Sequence, residues 1–441
     1  MIIKTLEQNG FEAYVVGGCV RDSLIGLNPN DWDICTSAKP EQTKECFQEY
    51  HIIETGMQHG TITIMIDHEP YEVTTYRIDG EYLDNRHPNE VQFVNSLKED
   101  LARRDFTINA MAYNPKDELI DYFGGQLDLQ NKVIQCVGNS DARFNEDALR
   151  IMRALRFAST YDFKIDDATK LSVHQFKSLL TNIAVERINS ELCKLLCGSG
   201  VKYILTHYHD VIGVFIPEIL AMAGFEQNNP HHMYNVWEHT VNAIYHASSD
   251  MIVRLTVLFH DIGKPHCYTQ DEQGIGHFYG HGQISSDMSY DIMKRLKFDN
   301  DTVNQVKELV LYHDADIQPR NKHIKRWLNK IGEERLRQLI EVKIADISAQ
   351  SRLEREERLL TLSKMKMCID EVISQQQCFC LKDLAINGRD LIEIGIHQGT
   401  QIGVILYKLM DLVIEEQINN EKDELIEVAI VMKEEVRENL N

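Results

Sequence analysis

The chain has no long apolar run. A membrane-spanning helix needs roughly 18 or more consecutive apolar residues, and no such stretch occurs among the 441 residues. No membrane partner is expected. The N-terminus, MIIKTLEQNG, lacks the charged-then-apolar layout of a secretory signal. The ten cysteines have no regular framework. Cys378 and Cys380 form a lone C-x-C, and Cys193 and Cys197 stand one helical turn apart. Neither spacing is that of a structural zinc site, so free thiols in a reducing cytoplasm are expected. Internal repeats and low-complexity segments are also missing.

Basic charge is in short supply. Lys and Arg number 46 against 68 Asp and Glu, a formal net charge of −22. Phosphate contacts need basic surface, so the average composition argues against nucleic-acid binding. The charge is unevenly placed, however. Arg clusters between positions 103 and 156, while acidic residues dominate the last eighty. One basic groove in an acidic protein is compatible with this pattern.

Residues 11 to about 137 read as α/β. AYVV (13–16), DWDICT (31–36), TITIMI (61–66), YEVTTY (71–76) and VQFV (91–94) read as short strands bounded by Gly, Pro, Asn and Asp. The charged stretch at 77–90 reads as a loop, and EDLARRDFTINAMAYN (99–114) as a helix. Beyond about 138 the apolar spacing becomes helical. The polar stretch GFEQNNPHH (224–232) reads as a linker, in which His231 and His232 are not taken as ligands. Four segments are expected: an α/β domain over 1–138, a helical neck over 139–223, a histidine-rich helical domain over 224–350 and a helical tail over 351–441.

Gly17-Gly18 follows an apolar strand, and Asp31 and Asp33 follow soon after. On a strand, residues two apart share a face, so the two carboxylates are expected together with Trp32 turned away. Such a pair repels itself unless a cation intervenes, and oxygen ligands suit Mg²⁺. Glycines let backbone approach a phosphate, and Arg21 is a candidate partner for one. A solvated D-x-D at a strand end is the plainer alternative. Asp147 and Arg150, three residues apart, would share a helix face. They offer acceptors beside a planar donor fork, which suits the edge of a base; a surface ion pair is the plainer reading. Arg150, Arg153 and Arg156 form one helical row.

GGCVRDSLIGLNPNDWDI (17–34), EDLARRDFTINAMAYN, DYFGGQLDL (121–129), RFNEDALRIMRALRFA (143–158) and VERINSEL (185–192) together resemble the signature of the tRNA nucleotidyltransferases and bacterial poly(A) polymerases. These belong to the DNA polymerase β-like nucleotidyltransferase superfamily, and the similarity is to the bacterial (class II) CCA-adding type. The resemblance covers roughly the first 200 residues. It implies a mixed-sheet α/β head followed by a mostly α-helical neck, further helical domain and tail. It implies tRNA as partner, with CTP and ATP as substrates and no DNA. Asp31 and Asp33 match the catalytic Mg²⁺ ligands, and Gly17, Gly18 and Arg21 the triphosphate site. Arg104 and Asp105 match nucleotide contacts, with the carboxylate at the ribose hydroxyl. Asp147 and Arg150 match the base-reading pair, and Arg153 and Arg156 further nucleotide contacts. Glu72 stands where the superfamily often has a third carboxylate. The loop at 77–90 matches the element that governs the change from CTP to ATP. A narrower A-adding enzyme or a poly(A) polymerase is the alternative within the family.

Further on, WEHTVNAI, VLFHDIGKP, GHGQ, LYHDAD and KIADISAQ concentrate histidine and aspartate. Imidazole and carboxylate from separate helices can enclose a divalent metal. This region resembles an HD domain, with ligands in the order H…HD…D. The resemblance implies His239, His260, Asp261 and Asp346 as ligands of a divalent transition metal (Ni, Mn, Co or Fe). It implies His281 and His313, beside Asp314, for a second metal, and phosphohydrolase activity on RNA 3′-phosphate or cyclic phosphate ends. LAINGRDLIEIGIHQGTQIGVILYKLMDLVIEEQINN resembles the tRNA-gripping tail of the same nucleotidyltransferases.

Overall fold

A computed structural model describes residues 1–80, 91–230 and 233–438. Most of the loop expected at 77–90, together with His231 and His232, lies outside these residues. The chain divides into two compact units, one of Met1–Ala223 with Ile292–Asp299 and one of Gly224–Asp291 with Asn300–Asn441.

The first unit opens with a seven-stranded mixed sheet. Its strands are β1 (Ala13–Val16), β2 (Asp33–Thr36), β3 (His51–Ile53), β4 (Thr61–Ile66), β5 (Glu69–Thr75), β8 (Met111–Asn114) and β9 (Glu118–Asp121), in the order β3-β4-β5-β2-β1-β8-β9. A separate hairpin joins β6 (Arg77–Asp79) to β7 (Val91–Phe93). Only β2 and β5 pair in parallel within the seven-stranded sheet, and their register sets Asp33 beside Glu72. Parallel neighbours require a crossover, which the Pro40–Cys46 helix and the β3–β4 hairpin supply. Alternation sends successive side chains to opposite faces. Ala13, Ile34, Ile62, Ile64 and Val73 bury on one face with Leu6 and Phe47. Tyr14, Val16, Cys35 and Ala112 bury on the other with Leu97 and Leu101.

Two expectations are corrected here. The helix expected over EDLARRDFTINAMAYN stops at Ala102; a single 3₁₀ turn follows at Thr107–Asn109, and Met111–Asn114 is strand β8. Backbone pairing of Val15 with Tyr113 and Val16 with Ala112 outweighs the local helical tendency. The second correction concerns DWDICT. Its strand begins only at Asp33, so Asp31 precedes the ladder rather than sharing a strand face with Asp33.

The sheet is followed by helices Ser140–Glu146, Leu149–Tyr161, Asp167–Phe176 and Val185–Leu196. Ile151, Met152, Leu155, Leu192 and Leu195 are fully buried between them. Burying one such side chain contributes about 1.5–3 kcal/mol, which anchors the arginine-bearing helix Leu149–Tyr161 firmly.

The second unit is helical. Leu309, Ile324, Leu336, Leu339, Leu362 and Ile369 build one core. Leu391, Ile405, Leu409 and Leu425 build another near the C-terminus. All ten cysteines are unpaired. No helix among the described residues is long and apolar enough to cross a membrane.

Candidate active sites

Asp33 starts β2 and is half-buried. Burial pushes its carboxyl up from the ordinary range; the Asp31 charge adds to the shift, Arg104 opposes it and Glu72 raises it again. Three carboxylates therefore meet at one sheet end with one guanidinium beside them. Among the described residues, they form no group of three ligands with all donor atoms within 4.8 Å. An open pair of hard oxygen ligands is what Mg²⁺ accepts, since it completes its shell with water and phosphate. Trp32 lines an apolar cavity of about 220 Å³ with Ile2, Val15 and Tyr71.

Gly17 turns the chain from β1 into the Gly18–Leu24 helix with φ +78° and ψ −128°. A Cβ there would lie 2.8 Å from Arg104 Nη1. Glycine thus permits both the strained turn and the seating of Arg104 over the backbone. Arg104 Nη2 stands 3.6 Å from Asp100, and its buried Nε has no hydrogen-bond partner among the described residues.

Arg21 is placed differently from its neighbours. It is buried, donates from Nε and Nη2 to Asp22 at 2.9 and 3.0 Å, and from Nη1 to Asn109 Oδ1 at 2.5 Å. Its guanidinium stands 4.7 Å from the Tyr161 ring centre and 5.0 Å from that of Phe157. Asp105 is equally built in. Oδ1 accepts from the Phe106 amide and from Asn109 Nδ2, and Oδ2 accepts from Arg153. Burial alone would raise the Asp105 carboxyl, but Arg153 and Asn109 outweigh it and hold the group well below the usual range. Arg156 lies 3.5 Å from the Phe157 ring centre and pairs with Glu191 at 2.9 Å.

Asp147 and Arg150 do not share a helix face, which corrects the expectation. Asp147 sits in extended conformation between two helices, where its Oδ1 accepts from the Leu149 amide. A short acidic side chain satisfies a helix start in this way. Asp147 Oδ2 pairs with Arg187 at 3.3 Å. Arg150 pairs with Glu146 at 2.6 Å and donates to the Arg103 carbonyl at 3.0 Å. Arg187 Nη1 is buried and has no hydrogen-bond partner among the described residues. Asn109, Arg187 and Glu191 were not singled out by sequence. All lie inside the quoted motifs, but Arg21, Asp147 and Arg156, which they meet, stand 35 to 88 residues away from them.

The second unit gathers the other constellation. His239, His260 and Asp346 form one group whose ligand atoms lie within 4.8 Å of one another, and Asp261, His281 and His313 form a second. His239 Nε2 is 2.9 Å from Asp346 Oδ1, and His260 Nε2 is 3.2 Å from Asp261 Oδ2. The rings are oriented from behind. His260, His281 and His313 place Nδ1 2.7, 2.9 and 2.7 Å from the carbonyls of Val257, Phe278 and Val310. A carbonyl only accepts, so Nδ1 carries the proton and Nε2 presents a lone pair, the arrangement of metal-binding histidines. Burial is the main cause that pushes His313 down to about 3, so its ring stays neutral. Gln350 donates to both oxygens of Asp346 at 3.0 Å, and Lys264 pairs with Asp261 at 2.7 Å. Asp261, His281, His313 and Asp346 open on a cavity of about 500 Å³ that Asn229, His277, Tyr279 and Asp314 also line. The donor set of imidazoles and carboxylates fits a divalent transition metal.

Comparison with known proteins places this geometry. Residues 13–135 match the family model described as the poly A polymerase head domain. Residues 162–212 match the probable RNA and SrmB-binding site of polymerase A, and 268–429 the putative tRNA nucleotidyltransferase domain 2. A CCA-adding enzyme of Enterococcus faecalis is 50% identical over 197 residues, 45% of this chain and 48% of that protein. The chain thus spans about half the length of that relative. The CCA-adding enzyme of Lactobacillus helveticus is 33% identical over 428 residues, 96% of this chain and 94% of that one. The crystal structure of the Bacillus stearothermophilus CCA-adding enzyme in complex with CTP aligns over 99% of this chain and 97% of that one, at 29% identity and a TM-score of 0.69. The Thermotoga maritima CCA-adding enzyme complexed with tRNA shares the fold at 21% identity and a TM-score of 0.61. Similarity at this level along nearly the whole length places the chain in the CCA-adding enzyme family of tRNA nucleotidyltransferases.

Proposed function

We propose that the chain adds or repairs the 3′-terminal CCA of tRNA, drawing on CTP and ATP. The tRNA 3′-hydroxyl oxygen bonds to the α-phosphorus, the bond to the β-phosphate oxygen breaks, and pyrophosphate leaves. The observation that carries this reading is the meeting of Asp31, Asp33 and Glu72 beside Arg104, seated over the Gly17 turn. A divalent cation such as Mg²⁺, held by Asp31 and Asp33, would supply charge neutralisation at the reacting phosphate and lower the proton affinity of the hydroxyl. Arg104, seated over the Gly17 turn, binds the triphosphate, and Gly17 and Gly18 keep the backbone clear for it. Asp105 meets the ribose hydroxyl through Oδ2, the oxygen it shares with Arg153. Asp147 and Arg150 present acceptor and donor edges to the base, and Arg153 and Arg156 line the nucleotide pocket. On this reading residues 1–138 are the catalytic head, 139–223 the selecting neck, 224–350 an HD domain and 351–441 the tRNA-gripping tail. Supplying purified protein with tRNA lacking its last three residues and one nucleotide at a time tests the reading. Two C and then one A are expected. Addition of A alone, to tRNA ending before CC, would identify an A-adding enzyme or poly(A) polymerase instead.

A second activity is favoured by the histidine cluster. We infer that the second unit is a metal-dependent phosphohydrolase acting on RNA 3′-phosphate or cyclic phosphate ends, and so readies damaged tRNA for the head. His239, His260, Asp261 and Asp346 would hold a divalent transition metal (Ni, Mn, Co or Fe), which supplies Lewis acidity at the phosphate, with His281 and His313 serving a second ion. Lys264 pairs with Asp261, and Gln350 orients Asp346. A His260→Ala/Asp261→Ala protein should lose repair of phosphate-ended tRNA while still extending a 3′-hydroxyl end. Undiminished repair would sink the inference.

A further inference from the structure

We propose that Asn109 is the positioning residue that decides which oxygen of Asp105 faces the nucleotide, an inference that rests on the ribose contact proposed above. Asn109 ends the 3₁₀ turn Thr107–Asn109 and is 6% exposed. On one side stands Arg21, which holds Asp22 with two donors and stacks against Tyr161. Tyr161 in turn donates to Asp22 Oδ1 at 2.9 Å, so the guanidinium is locked from several sides. A guanidinium has no acceptor. Asn109 must therefore turn its oxygen toward Arg21 Nη1, which donates to it at 2.5 Å. The amide nitrogen is then forced to the other side, where it donates to Asp105 Oδ1 at 3.0 Å.

The Phe106 amide donates to the same oxygen at 2.8 Å. Oδ1 is thus tied to two inward donors. Oδ2 meets Arg153, whose side chain is 33% exposed. The polarity of one buried amide, set by a donor-only partner, orients the carboxylate four residues before it in the chain. Aspartate at 109 would keep the bond to Arg21 but turn a second negative oxygen on Asp105, and alanine would release both partners. The relay runs from the glycine turn, through Asn109, to the helix carrying Arg153.

The test compares CTP with 2′-deoxy-CTP in single-nucleotide addition to tRNA lacking its CCA end. Wild type is expected to prefer CTP. Asn109→Asp should lower kcat/KM for CTP by about tenfold or more and shrink the CTP-to-deoxy-CTP ratio by at least about fivefold. A merely structural role would lower both substrates alike, and that outcome overturns the proposal, as does an unchanged ratio. Asn109→Ala carries the same expectation where Asn109→Asp fails to fold. Wild-type protein that adds neither nucleotide overturns the underlying nucleotidyl-transfer reading and this proposal with it, which separates the two failures.

Discussion

The Nε2 atoms of His281 and His313 face each other at 3.0 Å while both rings are pinned through Nδ1 to backbone carbonyls. Two imidazole lone pairs at that distance repel unless a cation lies between or beside them. The neutral state of His313 removes one source of a proton. Metal binding is the expected relief. Chelator-treated protein should therefore gain about 4 °C or more in melting midpoint when Mn²⁺, Co²⁺ or Ni²⁺ is added, since a ligand that binds only the folded state stabilises it by mass action. His313→Ala should gain less. A wild-type midpoint that none of these ions moves contradicts the expectation.

Gly17→Ala should damage the head site at its turn. The substitution forces an L side chain to φ +78° and sets a Cβ 2.8 Å from Arg104 Nη1. Backbone strain of this kind costs about 1–3 kcal/mol. Urea unfolding should show that loss, and nucleotide addition should fall further because Arg104 is displaced. Activity equal to wild type would show that Arg104 does not need its present seat.

Arg187→Ala removes the partner of Asp147 without touching the sheet. Asp147 keeps its bond to the Leu149 amide but loses its lateral restraint. We expect kcat/KM for the correct nucleotide to fall about 10–100-fold, with wrong-nucleotide addition falling less, so that fidelity drops. Steady-state addition with CTP, ATP, UTP and GTP reads this directly. A uniform fall across all four would point to folding rather than selection.

The Asp105–Arg153 pair predicts a pH dependence with a definite sign. The folded Asp105 carboxyl lies below its unfolded value of about 3.9. Its contribution to stability is therefore fully present above about pH 5 and is lost as pH falls further. Asp105→Asn should be less stable than wild type by about 1–3 kcal/mol at pH 7, a modest figure because the Arg153 side chain is a third exposed. The gap should narrow by pH 3. A gap that is constant across this range contradicts the assignment.

Much of the head was legible because strands such as TITIMI alternate and because Gly17 and the D-x-D sit at strand ends, where local chemistry speaks for itself. Strand β8 was not. MAYN carries no alternation of its own and becomes a strand by pairing with β9 on one side and, nearly a hundred residues earlier in the chain, with β1 on the other. The break at Asp147 does carry a local signal, since aspartate favours helix starts over helix interiors. The order H…HD…D announced the histidine cluster, and the structure brings its members together from positions 239 to 346. What the order could not carry was the carbonyl behind each ring. Arg187 and Asn109 show the same limit, since each acts through a partner on a distant element.

The central claim is that Asp31 and Asp33 make this chain a nucleotidyltransferase for tRNA 3′ ends. The most direct measurement is radiolabelled CMP and AMP incorporation into tRNA lacking CCA, in Mg²⁺, by wild type and by Asp33→Ala, with tRNA binding followed in parallel by gel shift. The account predicts two C and one A added by wild type, and incorporation reduced by about a thousandfold or more in Asp33→Ala with tRNA binding preserved. Incorporation by Asp33→Ala at the wild-type rate would contradict it.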